Sequence, residues 1–154
     1  MKKFVLFTAS SLAILFGGCT AMPENSSTGS SLMRAPQSGE MSGTWVPVSN
    51  AMAGKSLEFP TGFELKIEGD RYRAGVPPSY NDYGRIEVIA TNSGMMHLDL
   101  KSEVGQNKGK IIPAIARMNG KELEVCYDLS MKRRPADFVS REGTQQLRVS
   151  YARK

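Results

Sequence analysis

From Met41 onward, apolar and polar residues alternate with period two, and short clusters of Gly, Asn, Asp, Ser and Pro interrupt the alternation. No helix-length stretch carries apolar residues at a 3.6-residue spacing, so strands joined by tight turns are expected throughout. Within Phe63–Val76, Gly69-Asp70 suits a two-residue hairpin loop with glycine first, the type II′ arrangement. Folding the chain there sets Ile67 opposite Tyr72, Leu65 opposite Ala74 and Phe63 opposite Val76, while Glu68 meets Arg71 on the other face. A one-residue slip would scatter the apolar set over both faces, so the pattern specifies its own register.

Two further hairpins pass the same test. Asn119-Gly120 predicts a turn that pairs Ala116 with Leu123, Ala114 with Val125 and Ile112 with Tyr127, with Arg117 beside Glu122 outside. Asn92-Ser93-Gly94 predicts a three-residue loop pairing Ala90 with Met96, Val88 with Leu98 and Ile86 with Leu100. A first strand near Gly43–Ser49 and a last near Gln145–Tyr151 complete a set of eight one-sided antiparallel strands. The fold class this implies is all-β, an eight-stranded antiparallel up-and-down barrel, because closure buries every apolar face and removes the sheet edges. Two packed sheets are the structural alternative. An eight-stranded interior is either filled by side chains or holds one small ligand. Pro113 lacks an N–H, which in this register faces the preceding strand; a bulge or local opening is expected between residues 95–101 and 109–118.

The chain before Met41 has a different character. Lys2 and Lys3 precede an apolar run, Phe4–Phe16, that is shorter than the roughly 20 residues needed to cross a bilayer. This reads as a secretory signal, residues 1–18, removed from the mature protein. Its end, Phe16-Gly17-Gly18-Cys19, resembles the bacterial lipobox, with Phe16 where an aliphatic residue is usual. That resemblance implies acylation (palmitate-type chains) of Cys19, and several chains on one Cys give stable anchorage at about 0.8 kcal/mol per buried CH₂. Residues 19–40 form a Ser/Gly/Pro-rich linker that spans roughly 25 Å as a flexible coil, and residues 41–154 form the barrel domain. Thr20 after the Cys, by the same resemblance, favours the outer membrane facing the periplasm if the host is Gram-negative. The expected location is the cell envelope, with the membrane as partner through Cys19.

Charge and cysteine content narrow the function further. The formal net charge of +5 falls to +3 once Lys2 and Lys3 leave with the signal. Basic and acidic residues are interspersed, and an exported chain of this kind is not expected to bind nucleic acid. With Cys19 acylated, Cys126 is the remaining thiol and has no internal disulfide partner, so the core must hold the domain without staples.

Gly43-Thr44-Trp45, Gly54-Lys55, Glu68-Gly69-Asp70-Arg71-Tyr72, Asn119-Gly120-Lys121-Glu122-Leu123 leading to Val125-Cys126-Tyr127, and Arg134-Pro135-Ala136-Asp137-Phe138 occur in that order. Together, over about residues 42–151, they resemble a functionally obscure group of bacterial lipocalin-like domains carried on exported lipoproteins. The resemblance implies a lipocalin-like barrel and no established activity. In lipocalins a Gly-x-Trp motif closes the barrel base against an Arg near the last strand, which makes Trp45 and Arg148 the barrel-closing candidates here. Alternation sets Arg148 outward, between Leu147 and Val149, so that pair requires a bulge or an edge-on contact.

The remaining chemistry-bearing residues are weighed against plainer roles. Glu87, Asp99 and His97 share an outer face, but Arg71 and Arg73 on the adjacent hairpin favour a solvated ion-pair strip over a metal or acid–base site. Cys126, opposite Pro113 and flanked by Glu124 and Asp128, is expected to be an inert thiol. Lys132-Arg133-Arg134 is read as a solvated loop partnered by Asp137, the alternative being contact with anionic lipid head groups. Tyr80 and Tyr83, in a Pro-rich loop from Gly75 to Gly84, are candidates for a ligand or partner lip. No nucleophile elbow or phosphate loop is present, and neither enzymatic activity, a cofactor nor a metal is expected. Two functions remain: a calyx for a small apolar or amphipathic ligand, and a scaffold whose loops and outer face bind another envelope protein as an inhibitor or immunity-type factor.

Overall fold

The computed structural model describes residues 38–154; Cys19, its leader and most of the tether lie outside the described residues. The strands are β1 (Gly43–Met52), β2 (Glu64–Glu68), β3 (Arg71–Val76), β4 (Ser79–Asn92), β5 (Met95–Val104), β6 (Ile111–Asn119), β7 (Glu122–Asp128) and β8 (Gln146–Arg153). Each pairs antiparallel with the next, and β8 returns to β1, from Trp45–Arg153 to Met52–Leu147. The sheet therefore closes into the expected eight-stranded up-and-down, lipocalin-like barrel, and the two-sheet alternative is excluded.

The first hairpin keeps its expected register: Glu68–Arg71, Ile67–Tyr72 and Leu65–Ala74 are partners, and Gly69 opens the turn at φ +62°. Phe63 does not pair with Val76. Its N–H bonds the Pro60 carbonyl (3.0 Å), and Val76 pairs instead with Ser79. At the β4–β5 turn, Ser93 and Gly94 both take positive φ (49° and 79°), the type I′ geometry. The loop is thus two residues long, and Met96 faces Thr91, not Ala90. A bulge between Val88 and Ala90 absorbs the difference, so Val88–Leu98 and Ile86–Leu100 stand as expected.

The β6–β7 register differs from expectation by two residues. Asn119 stays in the strand opposite Glu122, and Gly120 (φ +62°) with Lys121 makes the turn. Ala116 therefore faces Val125, Ala114 faces Tyr127 and Arg117 faces Glu124. A shift of two leaves each side chain on its original face. It also resolves Pro113. Alternate strand residues offer their N–H to alternate neighbours, so the shift turns the proline nitrogen toward β7, where pairing ends at Ala114–Tyr127. The β5–β6 ladder passes through Asp99–Pro113 without a bulge, contrary to expectation.

One end of the barrel is solid. Trp45, Ile67, Leu98, Ala114, Ala116, Leu123 and Val149 fill it, leaving a void of about 10 Å³. A 3₁₀ turn, Ser38–Met41, begins inside the stretch read as linker; it plugs this base with fully buried Met41, whose carbonyl accepts from Trp45 Nε1 (2.8 Å).

The connection from Leu129 to Gln145 covers part of the outside. Ile115 and Cys126 point outward by alternation yet are fully buried and stand apart from the interior cluster. The Arg117 guanidinium lies 4.4 Å from the Phe138 ring centre, across that connection. Arg134 reaches under it to the Asp99 carboxylate (2.6 Å) and donates to the carbonyls of Leu98 and Ala114.

Candidate functional site

Toward the opposite end the interior opens into a cup of about 470 Å³. Its hollowness has a local cause. β1 pairs with β2 only from Gly43 to Trp45, and beyond that point a strandless segment runs alongside β1 instead. The Leu57 N–H donates to Asn50 Oδ1 (2.9 Å) and anchors that segment. It brings Phe59 and Phe63, with ring centres 4.6 Å apart, to the rim. Leu65, Ala74, Leu100, Ile112 and Leu147 supply apolar wall, and small Ala74 leaves space where a larger residue would fill it.

Three tyrosines line the cup. Tyr72 donates to Asp82 Oδ1 (3.1 Å), and Ser102 Oγ, 3.0 Å from that oxygen and 3.0 Å from the Val104 carbonyl, shares its one proton between the two. The hydroxyls of Tyr127 and Tyr151 lie 3.4 Å apart. Burial disfavours the phenolate, pushing Tyr151 up to about 12 and Tyr72 and Tyr127 well above their ordinary values; nearby Asp82 adds to the effect on the latter two. These hydroxyls are therefore neutral polar groups in an otherwise apolar enclosure.

The predicted site residues are distributed differently. Trp45 closes the base, but its cation is Arg153, 4.4 Å from the ring centre, and not Arg148. The reason is parity: Arg153 shares the inward register of Leu147, Val149 and Tyr151, and β8 runs beyond the expected end at Tyr151. Gly43 makes the contact possible, since a Cβ there would meet Arg153 Nη1 at 2.5 Å. Arg148 lies outside and pairs with buried Glu124 (2.7 Å), which Arg117 also holds (2.6 Å).

Tyr80 and Tyr83 are not among the residues that line the cup. The expected Pro-rich loop is a tight hairpin turning at Pro77-Pro78, and both tyrosines lie on the outer face of β3–β4. Tyr80 crosses side-chain-free Gly75 to donate to Glu64 Oε1 (2.6 Å), while Lys154 Nζ meets Oε2 (3.0 Å). Those bonds hold the Glu64 carboxyl below its ordinary value despite its burial. The mouth residues from β4 are Asn81 and Asp82, which the sequence reading missed.

The outer-face groups are engaged locally. Asp99 binds Arg134, Glu87 binds Lys101 (2.5 Å), and Arg71 and Arg85 bind Glu103 (3.3 Å each). Among the described residues no cluster of three or more His, Cys, Asp and Glu converges on a point. Cys126 faces Ile115, not Pro113, and burial first, then the Asp137 charge, pushes its thiol up to about 11. Asp137 pairs with Arg141 (2.6 Å). In the basic run it is Asp128 that accepts from the Lys132 and Arg133 N–H groups (3.2 and 2.9 Å). Comparison with family models, with curated proteins and with solved structures finds no match to this chain.

Proposed function

We propose that this protein is a lipid-anchored envelope lipoprotein whose barrel holds one small apolar or amphipathic ligand in its open end. The observation that carries the reading is the asymmetry of the interior: a filled base beneath a cup of about 470 Å³. Small-molecule sites are typically apolar concavities of about 300–1,000 Å³ with a few fixed polar groups. The cup has that form, with aliphatic and aromatic walls and polar side chains confined to Tyr72, Asp82, the Tyr127–Tyr151 pair and the amides of Asn81, Gln106 and Asn107. In the competing reading, loops and the outer face bind another envelope protein, but Tyr80 on that face is already bonded to Glu64.

The anchor is argued from the Cys19 lipobox. The test is mass spectrometry of small molecules that co-purify with the protein from its own envelope, set beside Ala74→Trp. The expected result is a bound compound that disappears when the indole fills the cup, with the unfolding midpoint preserved. Retention of the same compound by a folded Ala74→Trp protein would refute the assignment to the cup. Detergent partitioning of Cys19→Ala tests the anchor, since release of wild type and variant to the aqueous phase alike would remove it.

A further inference from the structure

Resting on that reading of the cup, we infer that its ligand carries a cationic head, an ammonium or amine, on an apolar body. Asp82 is the one charged residue among those that line the cup; no lysine or arginine joins it there. Its carboxylate has no ion-pair partner among the described residues, whereas Glu64, Glu87, Asp99, Glu103 and Glu124 all do. Its donors, Tyr72 and the Ser102 hydroxyl that it shares with the Val104 carbonyl, both fall on Oδ1. Oδ2 accepts none. The carboxylate is thus held in orientation on one side and left open to a donor on the other.

The surroundings favour a cation over a neutral donor. Tyr72, Tyr127, Tyr151, Phe59 and Phe63 present aromatic rings around the same space, and ring faces attract ammonium groups. Aromatic cages hold quaternary ammonium ligands, and a carboxylate beside the rings adds the opposite charge. An anionic head meets the reverse: one uncompensated negative charge, and no guanidinium or ammonium to receive it. Overall charge does not explain the cup, because the chain as a whole is basic at +5.

Decyltrimethylammonium, decanol and decyl sulfate, each below its micellar range, provide one chain with three heads. Calorimetric titration uses the mature chain with Cys19→Ser, so that no acyl group competes for the cup. The expected order is the cation first, at least tenfold tighter than decanol, and the sulfate last. Asp82→Asn, nearly isosteric, is expected to abolish the preference, so that the cation and decanol bind the variant equally. Equal binding of the three heads, or tightest binding of the sulfate, overturns the cationic assignment and leaves the calyx standing. Absence of binding by all three, with the protein folded, overturns the calyx reading and this inference with it. The wild-type ranking alone decides the question if Asp82→Asn fails to fold.

Discussion

Replacing Ala114 and Ala74 separately by Leu places the same extra isopropyl group in the two halves of the barrel. Ala114 is fully buried, facing Leu98 on β5 and Tyr127 on β7, in the half where the remaining void is about 10 Å³. A leucine cannot be accommodated there without displacing neighbours, and overpacking of this kind costs about 1–3 kcal/mol. Ala74 borders the cup of about 470 Å³, so its leucine projects into open space and the effect stays within about 0.5 kcal/mol. With a urea m-value near 1–3 kcal/mol/M, a loss of about 2 kcal/mol moves the midpoint down by roughly 1 M. Urea unfolding followed by far-UV circular dichroism separates the two variants. Equal midpoints, or a lower one for Ala74→Leu, would refute the division into a filled base and a hollow mouth.

Arg153→Ala removes the cation from Trp45 and is expected to cost about 1 kcal/mol, at the lower end for an exposed guanidinium, and to shift the Trp45 emission. Arg148→Ala is expected to destabilise the fold through Glu124 while leaving that emission unchanged, so a Trp shift in Arg148→Ala would count against the assignment. Because the folded state raises the Tyr72, Tyr127 and Tyr151 hydroxyls, it holds more protons than the unfolded chain above their ordinary value of about 10. Their contribution is complete below about pH 10 and is lost as pH rises through about 12 for Tyr151, which midpoints measured across that range should show. At the β6–β7 turn, Asn119→Thr is expected to be neutral or better because residue 119 is a strand position. Gly120→Ala is expected to cost about 1 kcal/mol at φ +62°, and a large loss from Asn119→Thr would restore the Asn-Gly turn.

The strand faces were legible because period-two alternation is strict wherever one side is buried. Leu65, Ile67, Tyr72, Leu98, Val125 and Val149 all point inward as the pattern requires. Turn lengths were less legible. Asn119-Gly120 and Asn92-Ser93-Gly94 each admit more than one loop, and the choice depends on which residue takes positive φ. The structure gives that role to Gly120, and to Ser93 with Gly94. The Gly120 choice brings Arg117 to the buried Glu124 carboxylate, a contact between strands that no local pattern contains. Arg153 was missed because β8 was ended two residues early, although its parity with Tyr151 already assigned it to the side of Trp45. The burial of Cys126 was also out of reach, since it depends on a connection without periodicity of its own.

Bulges add to the short β1–β2 pairing at the mouth and explain the misplacement of its residues. Ladder shifts fall between Pro47 and Ser49, between Ala74 and Gly75, and between Tyr83 and Gly84, all toward the open end. An extra residue bends its strand and increases the local twist, and these three bulges lie where the β1–β2 ladder has already ended. The shift beside Gly75 inserts Asn81 into β4. Uninterrupted alternation from Ile86 and Gly84 would have turned Tyr80 inward with Asp82. The inserted residue instead rotates Tyr80 to the outer face, opposite Gly75 and within reach of Glu64, and leaves Asp82 opposite Ala74 in the cup wall. One bulge thus removes an aromatic side chain that would have occupied the mouth and keeps a carboxylate there.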